Sequence, residues 1–81
     1  MAQRADLMTW VHDALISHGG EARIVEVAKH IWEHHEADLR ASGDLFYTWQ
    51  YEMRWAATRL RDQGKVAAPE ASPRGTWALK R

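Results

Sequence analysis

Apolar and polar positions along the chain alternate with a helical period in three places. Between about residues 5 and 18, apolar residues fall at Leu7, Trp10/Val11 and Ala14/Leu15, with His18 continuing the stripe. Spacings of three and four place these residues on one helical face. Gly19-Gly20 then stops the helix, since glycine adopts the left-handed cap conformation at little cost. Glu21-Ala22-Arg23 has the length of a minimal strand or an extended link. A second stripe at Ile24, Val27, Ala28, Ile31 and Trp32/His35 predicts a helix over about 24–35. Residues 36–43 are polar, with Leu39 as the anchor of a short turn, and Ser42 or Asp44 can cap the next helix.

The third helix is predicted over about 45–63, with Phe46, Trp49, Met53, Ala56/Ala57 and Leu60 facing the first two helices. Off that stripe lie two flanks. At 100° per residue, one carries Tyr47, Gln50, Arg54, Thr58 and Arg61, and the other Thr48, Tyr51, Glu52, Trp55 and Arg59. Gly64 ends the helix. Residues 65–68 and 76–80 are expected to pair as a hairpin, with Val66, Trp77 and Leu79 inward. Pro69 and Pro73 bracket the loop between them, where neither disrupts a strand ladder. Three helices followed by a two- to three-stranded wing is the order of a winged helix-turn-helix, mostly α with a small β-hairpin, in one domain spanning residues 1–81.

Composition narrows the classes. The chain of 81 residues, 46% apolar and 27% charged, matches an ordinary globular domain rather than a disordered one. No apolar run approaches membrane-spanning length, and the N-terminus lacks the basic and apolar stretches of a secretory signal. With no cysteine, neither a disulfide nor a Cys-based zinc site is available, and a cytoplasmic, nucleoid-associated location is expected. Net charge is zero, but it is unevenly spread. Residues 1–45 hold four Lys/Arg against eight acids, whereas residues 46–81 hold seven against three. An acidic scaffold thus carries a basic presenting end, the charge footprint of a nucleic-acid binder.

The segments Arg54-Trp55-Ala56, Leu60, Gly64 and Pro73-Arg74-Gly75-Thr76-Trp77-Ala78-Leu79 resemble the N-terminal domain of Mrr-type restriction proteins. That family places a W-A pair on its third helix, an L-x-x-x-G helix end and an R-G-x-W/Y-x-L wing strand. Gly19-Gly20-Glu21-Ala22 resembles the family's link between its first two helices. The resemblance covers most of the chain and implies a winged-helix, DNA-contacting role. Two features depart from it: the family's nuclease domain is not in this sequence, and Thr48 and Glu52 stand where the family is often basic.

Side-chain chemistry on the third helix points the same way. Gln50 can meet adenine in two hydrogen bonds and Arg54 can meet guanine likewise, and their spacing of four puts them on one face. Thr48 and Tyr51 are placed for phosphate or a thymine methyl, and Arg61, further along, for backbone. Arg74-Gly75 at the wing tip suits a narrow minor groove, where negative potential concentrates. The DNA-binding set is therefore Tyr47, Thr48, Gln50, Tyr51, Arg54, Arg61, Arg74 and Gly75. Trp55 and Trp77 are expected to pack on each other rather than stack on bases, and Trp10, Trp32 and Trp49 to lie in the core. His30-Ile31-Trp32-Glu33-His34 matches the H-x-x-E-H pattern of one class of zinc peptidases. A catalytic zinc also needs a third ligand and a cleft, and adventitious metal binding is the larger expectation. With no glycine-rich phosphate loop and no nucleophile triad, the chain is expected to be non-enzymatic and cofactor-free. Double-stranded DNA is the implied partner, with a homodimer or a protein partner left open. The alternative function is a protein-interaction winged helix using the aromatic surface of Phe46, Tyr47, Trp49 and Tyr51.

Overall fold

A computed structural model describes residues 2–80. Three helices, α1 (Asp6–Ser17), α2 (Ile24–Arg40) and α3 (Leu45–Asp62), are joined by a two-stranded antiparallel sheet of β1 (Glu21–Arg23) and β2 (Thr76–Ala78), with a 3-10 turn at Pro69–Ala71. The chain is thus mostly helical with a small sheet, as the hydrophobic pattern predicts.

The stripes become the core. Leu7, Val11, Ala14 and Leu15 of α1, Val27 and Ile31 of α2, and Trp49, Met53, Ala56, Ala57 and Leu60 of α3 form one buried cluster. Two aromatic stacks join the helices. Trp32 lies parallel to Trp49 at 6.1 Å, joining α2 to α3, and Trp10 lies parallel to His35 at 3.9 Å, joining α1 to α2. At the start of α1 the Asp6 carboxylate accepts the Gln3 N–H at 2.9 Å, tying the segment ahead of the helix to its first residue. The end of α3 is closed by two bonds, Lys65 N–H to the Leu60 carbonyl and Gly64 N–H to the Arg61 carbonyl, both 2.9 Å. That pair needs a left-handed residue at its centre, and Gly64 supplies it with φ +77°.

Two expectations are corrected in α2. The helix does not end at His35 but continues to Arg40. His35 itself departs from helical geometry (φ −132°, ψ 20°), so the expected stop coincides with a kink rather than an end. Beyond the kink Leu39 is fully buried, and burial of this large apolar side chain among polar neighbours holds the last turn to the core. Nor do Ser42 or Asp44 cap α3 through their side chains. The Ser42 hydroxyl donates instead to the Asp38 carbonyl at the end of α2, and accepts the Ala2 N–H at 3.0 Å.

The C-terminal pairing also differs from a simple hairpin. Residue for residue, β2 pairs with β1: Glu21 with Ala78, Ala22 with Trp77, Arg23 with Thr76. The stretch at 65–68 adds one bridge, Val66 to Leu79, bracketed by Ala67 N–H to the Ala78 carbonyl and Lys80 N–H to the Lys65 carbonyl. The 3-10 turn that begins at Pro69 ends the ladder there, because proline fixes φ and offers no N–H to extend it. Val66 and Trp77 are buried and Leu79 half-buried, the inward set the alternation predicts.

Candidate nucleic-acid interface

The outer side of α3 is held by the residues beneath it. Because Trp49, Met53, Ala56 and Ala57 face the core, the helical period turns Gln50, Tyr51 and Arg54 outward, and all three are exposed. Across from them stands the tip at Arg74-Gly75. Gly75 takes φ +78°, a conformation open to glycine and strained for other residues, and its carbonyl accepts the Ile24 N–H at 2.9 Å. That bond ties the tip to the first residue of α2.

Between the two lies an open groove of about 840 Å³. Gln50, Tyr51 and Arg54 line it from α3, Arg74 and Gly75 from the tip, and Arg23, Ile24, Val25 and Ala28 from the start of α2. Five of the eight residues expected to meet DNA therefore share one concave surface. Arg54 and Arg74 have no carboxylate in ion-pair contact among the described residues, whereas Arg23 pairs with Glu26 at 2.9 Å. The N-terminal end of α2 adds its partial positive charge to the same groove. Taken together, these groups place hydrogen-bond donors and acceptors on one helix face, flanked by cations, with a chain tip beside them.

The other three residues lie elsewhere. Tyr47, 83% exposed, and Thr48 sit on the first turn of α3 outside this groove. Thr48 turns its hydroxyl back to the Asp44 carbonyl at 3.4 Å. Arg61 is engaged internally: its Nε donates to the Ala67 carbonyl at 3.1 Å, which fastens the end of α3 to the segment after it.

Two groups near the interface were not singled out by sequence reasoning. Arg23 sits in a three-residue strand whose pairing partner is remote in the chain, so nothing local marks it as facing α3. Arg4 lies with its guanidinium carbon 4.0 Å from the Trp55 ring centroid. Trp55 is therefore covered by Arg4, and no ring pair joins it to Trp77 among the described residues. Trp77 sits on β2 opposite Ala22 and is buried in the core, leaving the flank of α3 to the N-terminal segment.

A second depression of about 500 Å³ adjoins the first, sharing Val25, Ala28 and Gln50 and adding Lys29, Trp32, Phe46 and Trp49. Its walls are largely aromatic and aliphatic. The histidines of the H-x-x-E-H stretch lie away from both. His34 Nδ1 is 2.8 Å from the His30 carbonyl, and the two rings stack at 4.1 Å. Among the described residues no three His, Asp or Glu side chains are grouped to hold a metal. His30 is held below the ordinary histidine pKa by burial first, then by the neighbouring His34, His18 and His35. His35 is lowered by burial as well, against the opposing pull of Asp38, Asp13 and Asp6.

No family model, curated protein or solved structure matches this chain. The functional reading accordingly rests on residues and geometry.

Proposed function

We propose that this chain is a small double-stranded DNA-binding protein of the transcriptional-regulator or nucleoid-associated type. In this reading the fold serves as a winged helix: α3 enters the major groove and the Arg74-Gly75 tip lies along the minor groove or the phosphates. The observation that carries the proposal is the convergence of Gln50, Tyr51, Arg54, Arg74 and Gly75, with Arg23, on one open groove. The resemblance to the N-terminal domain of Mrr-type restriction proteins supports it, as does the basic bias of the C-terminal half. Gln50 and Arg54 read base edges, and Arg23 and Arg74 hold phosphate.

The test is fluorescence anisotropy with a random-sequence duplex of about 20 base pairs. Each neutralised phosphate releases counterions, so the two contacts of Arg23 and Arg74 imply about 12-fold weaker binding when salt rises fourfold. Arg54→Ala and Arg74→Ala each weaken binding while leaving the melting temperature unchanged. Wild-type affinity in both variants would remove these residues from the interface.

A second reading is favoured by a different observation. Val25, 50% exposed, lines the aromatic depression of Trp32, Phe46 and Trp49, and Tyr47, 83% exposed, meets the Phe46 ring edge-on at 5.0 Å, a composition common at protein interfaces. On that reading the domain docks a protein partner. No duplex binding at low salt, with loss of complex formation in Tyr47→Ala, is the result that selects it.

A further inference from the structure

The exposed ridge of α3 is flanked on both sides. Tyr51 and Arg54 line the groove facing Arg23 and Arg74, and they also line a smaller depression of about 370 Å³ on the opposite flank. That second depression is completed by Glu52, Trp55 and Thr58 of α3 and by Arg4, which precedes α1. Arg4 is held there by two contacts. Its guanidinium covers the Trp55 ring at 4.0 Å, and its Nη1 lies 3.7 Å from Glu52 Oε2. Glu52 is largely covered (20% exposed), while Arg4 remains 55% exposed. A guanidinium carries five N–H donors; the Glu52 contact involves one nitrogen, and the exposed remainder faces outward beside Arg54.

We propose that Arg4 is a phosphate-binding residue for double-stranded DNA, gripping the backbone on the flank of α3 opposite Arg23 and Arg74. This rests on the DNA-binding reading above and extends it. A helix seated in a major groove about 12 Å wide has a phosphate-lined wall on each side. Cations on the tip side alone engage one wall; Arg4 supplies the other. Its stack on Trp55 pre-orders a side chain that otherwise loses rotamer freedom on binding. The same arginine offsets Glu52, the one acid on this part of α3, which unpaired would repel the backbone. The N-terminal segment is therefore part of the interface rather than a lead into α1.

The experiment uses the full chain and the same random duplex, titrated from about 50 to about 200 mM salt. Arg4→Met keeps an unbranched apolar stem over Trp55 and removes the charge; Arg4→Lys keeps the charge. The expected result is a fall of about 0.9 in the slope of log affinity against log salt for Arg4→Met, with the slope retained in Arg4→Lys. Equal melting temperatures for wild type, Arg4→Met and Arg4→Lys make the comparison independent of the Trp55 packing. The proposal is overturned if Arg4→Met keeps the wild-type slope while Arg74→Ala lowers it, since Arg4 then only covers Trp55. If the wild type shows no salt-dependent duplex binding at all, the DNA reading falls and Arg4 falls with it.

Discussion

The inner and outer faces of α3 are held by different forces. Inward, Leu45, Trp49, Met53, Ala56, Ala57 and Leu60 are buried against α1 and α2, and each owes its position to exclusion from water. Outward, Tyr47, Gln50, Tyr51 and Arg54 are exposed, and Arg54 has no ion-pair partner among the described residues. A side chain that contributes little to the fold is free to contribute to binding, so stability and recognition can be altered separately along one helix. The α1–α2 end forms a third environment, where histidines and Trp10 engage one another in stacked pairs.

The largest break in this comparison comes from the inner face. Trp49→Ala removes a buried ring that also stacks on Trp32, and is expected to cost about 3–5 kcal/mol, much of the stability of a domain this size. Urea unfolding measures it, and a loss below about 1 kcal/mol would mean that the stack does not join the helices. A middle-sized effect is expected at the helix end. A Cβ at Gly64 meets no atom within 4 Å, so Gly64→Ala reports backbone strain at φ +77° alone, about 1 kcal/mol. A loss of several kcal/mol in the same unfolding assay would point to a collision instead.

The smallest effect is expected at the histidine end. His30 and His35 are harder to protonate in the folded chain than in the unfolded one. Their contribution to stability is therefore complete above the ordinary histidine pKa of about 6.5. It is lost as pH falls from there through their lowered values, because the unfolded state then binds more protons. A modest drop in melting temperature between about pH 7.5 and about pH 5 is expected, reduced in His30→Gln/His35→Gln. An unchanged drop in that double variant would assign the pH dependence to carboxylates.

Periodicity marked α1 and α3 to within a residue or two, because both carry uninterrupted apolar stripes bounded by glycine. It lost α2 after His35 because the only large apolar residue beyond, Leu39, is buried past a kink that no local signal announces. Pairing of Thr76–Ala78 with Glu21–Arg23 escaped for a related reason. Hairpin signals are local, and this partner is not. In the candidate site, the shared exposed face of Gln50, Tyr51 and Arg54 was legible, because spacing on one helix decides it. The candidate site was not legible where a side chain from another part of the chain intrudes. Arg61 bonds to Ala67 and Arg4 covers Trp55, and both contacts depend on tertiary packing.

The pairing of β1 with β2 has a kinetic consequence. It joins residues more than fifty positions apart, and such contacts form only after the intervening chain has been drawn together. The Arg74-Gly75 tip, bonded through Gly75 to Ile24, is thus expected to reach its place late, after the helices have docked. A nascent or partly unfolded chain would display the basic face of α3 without the tip opposite it, so the complete groove would be presented only once folding is finished.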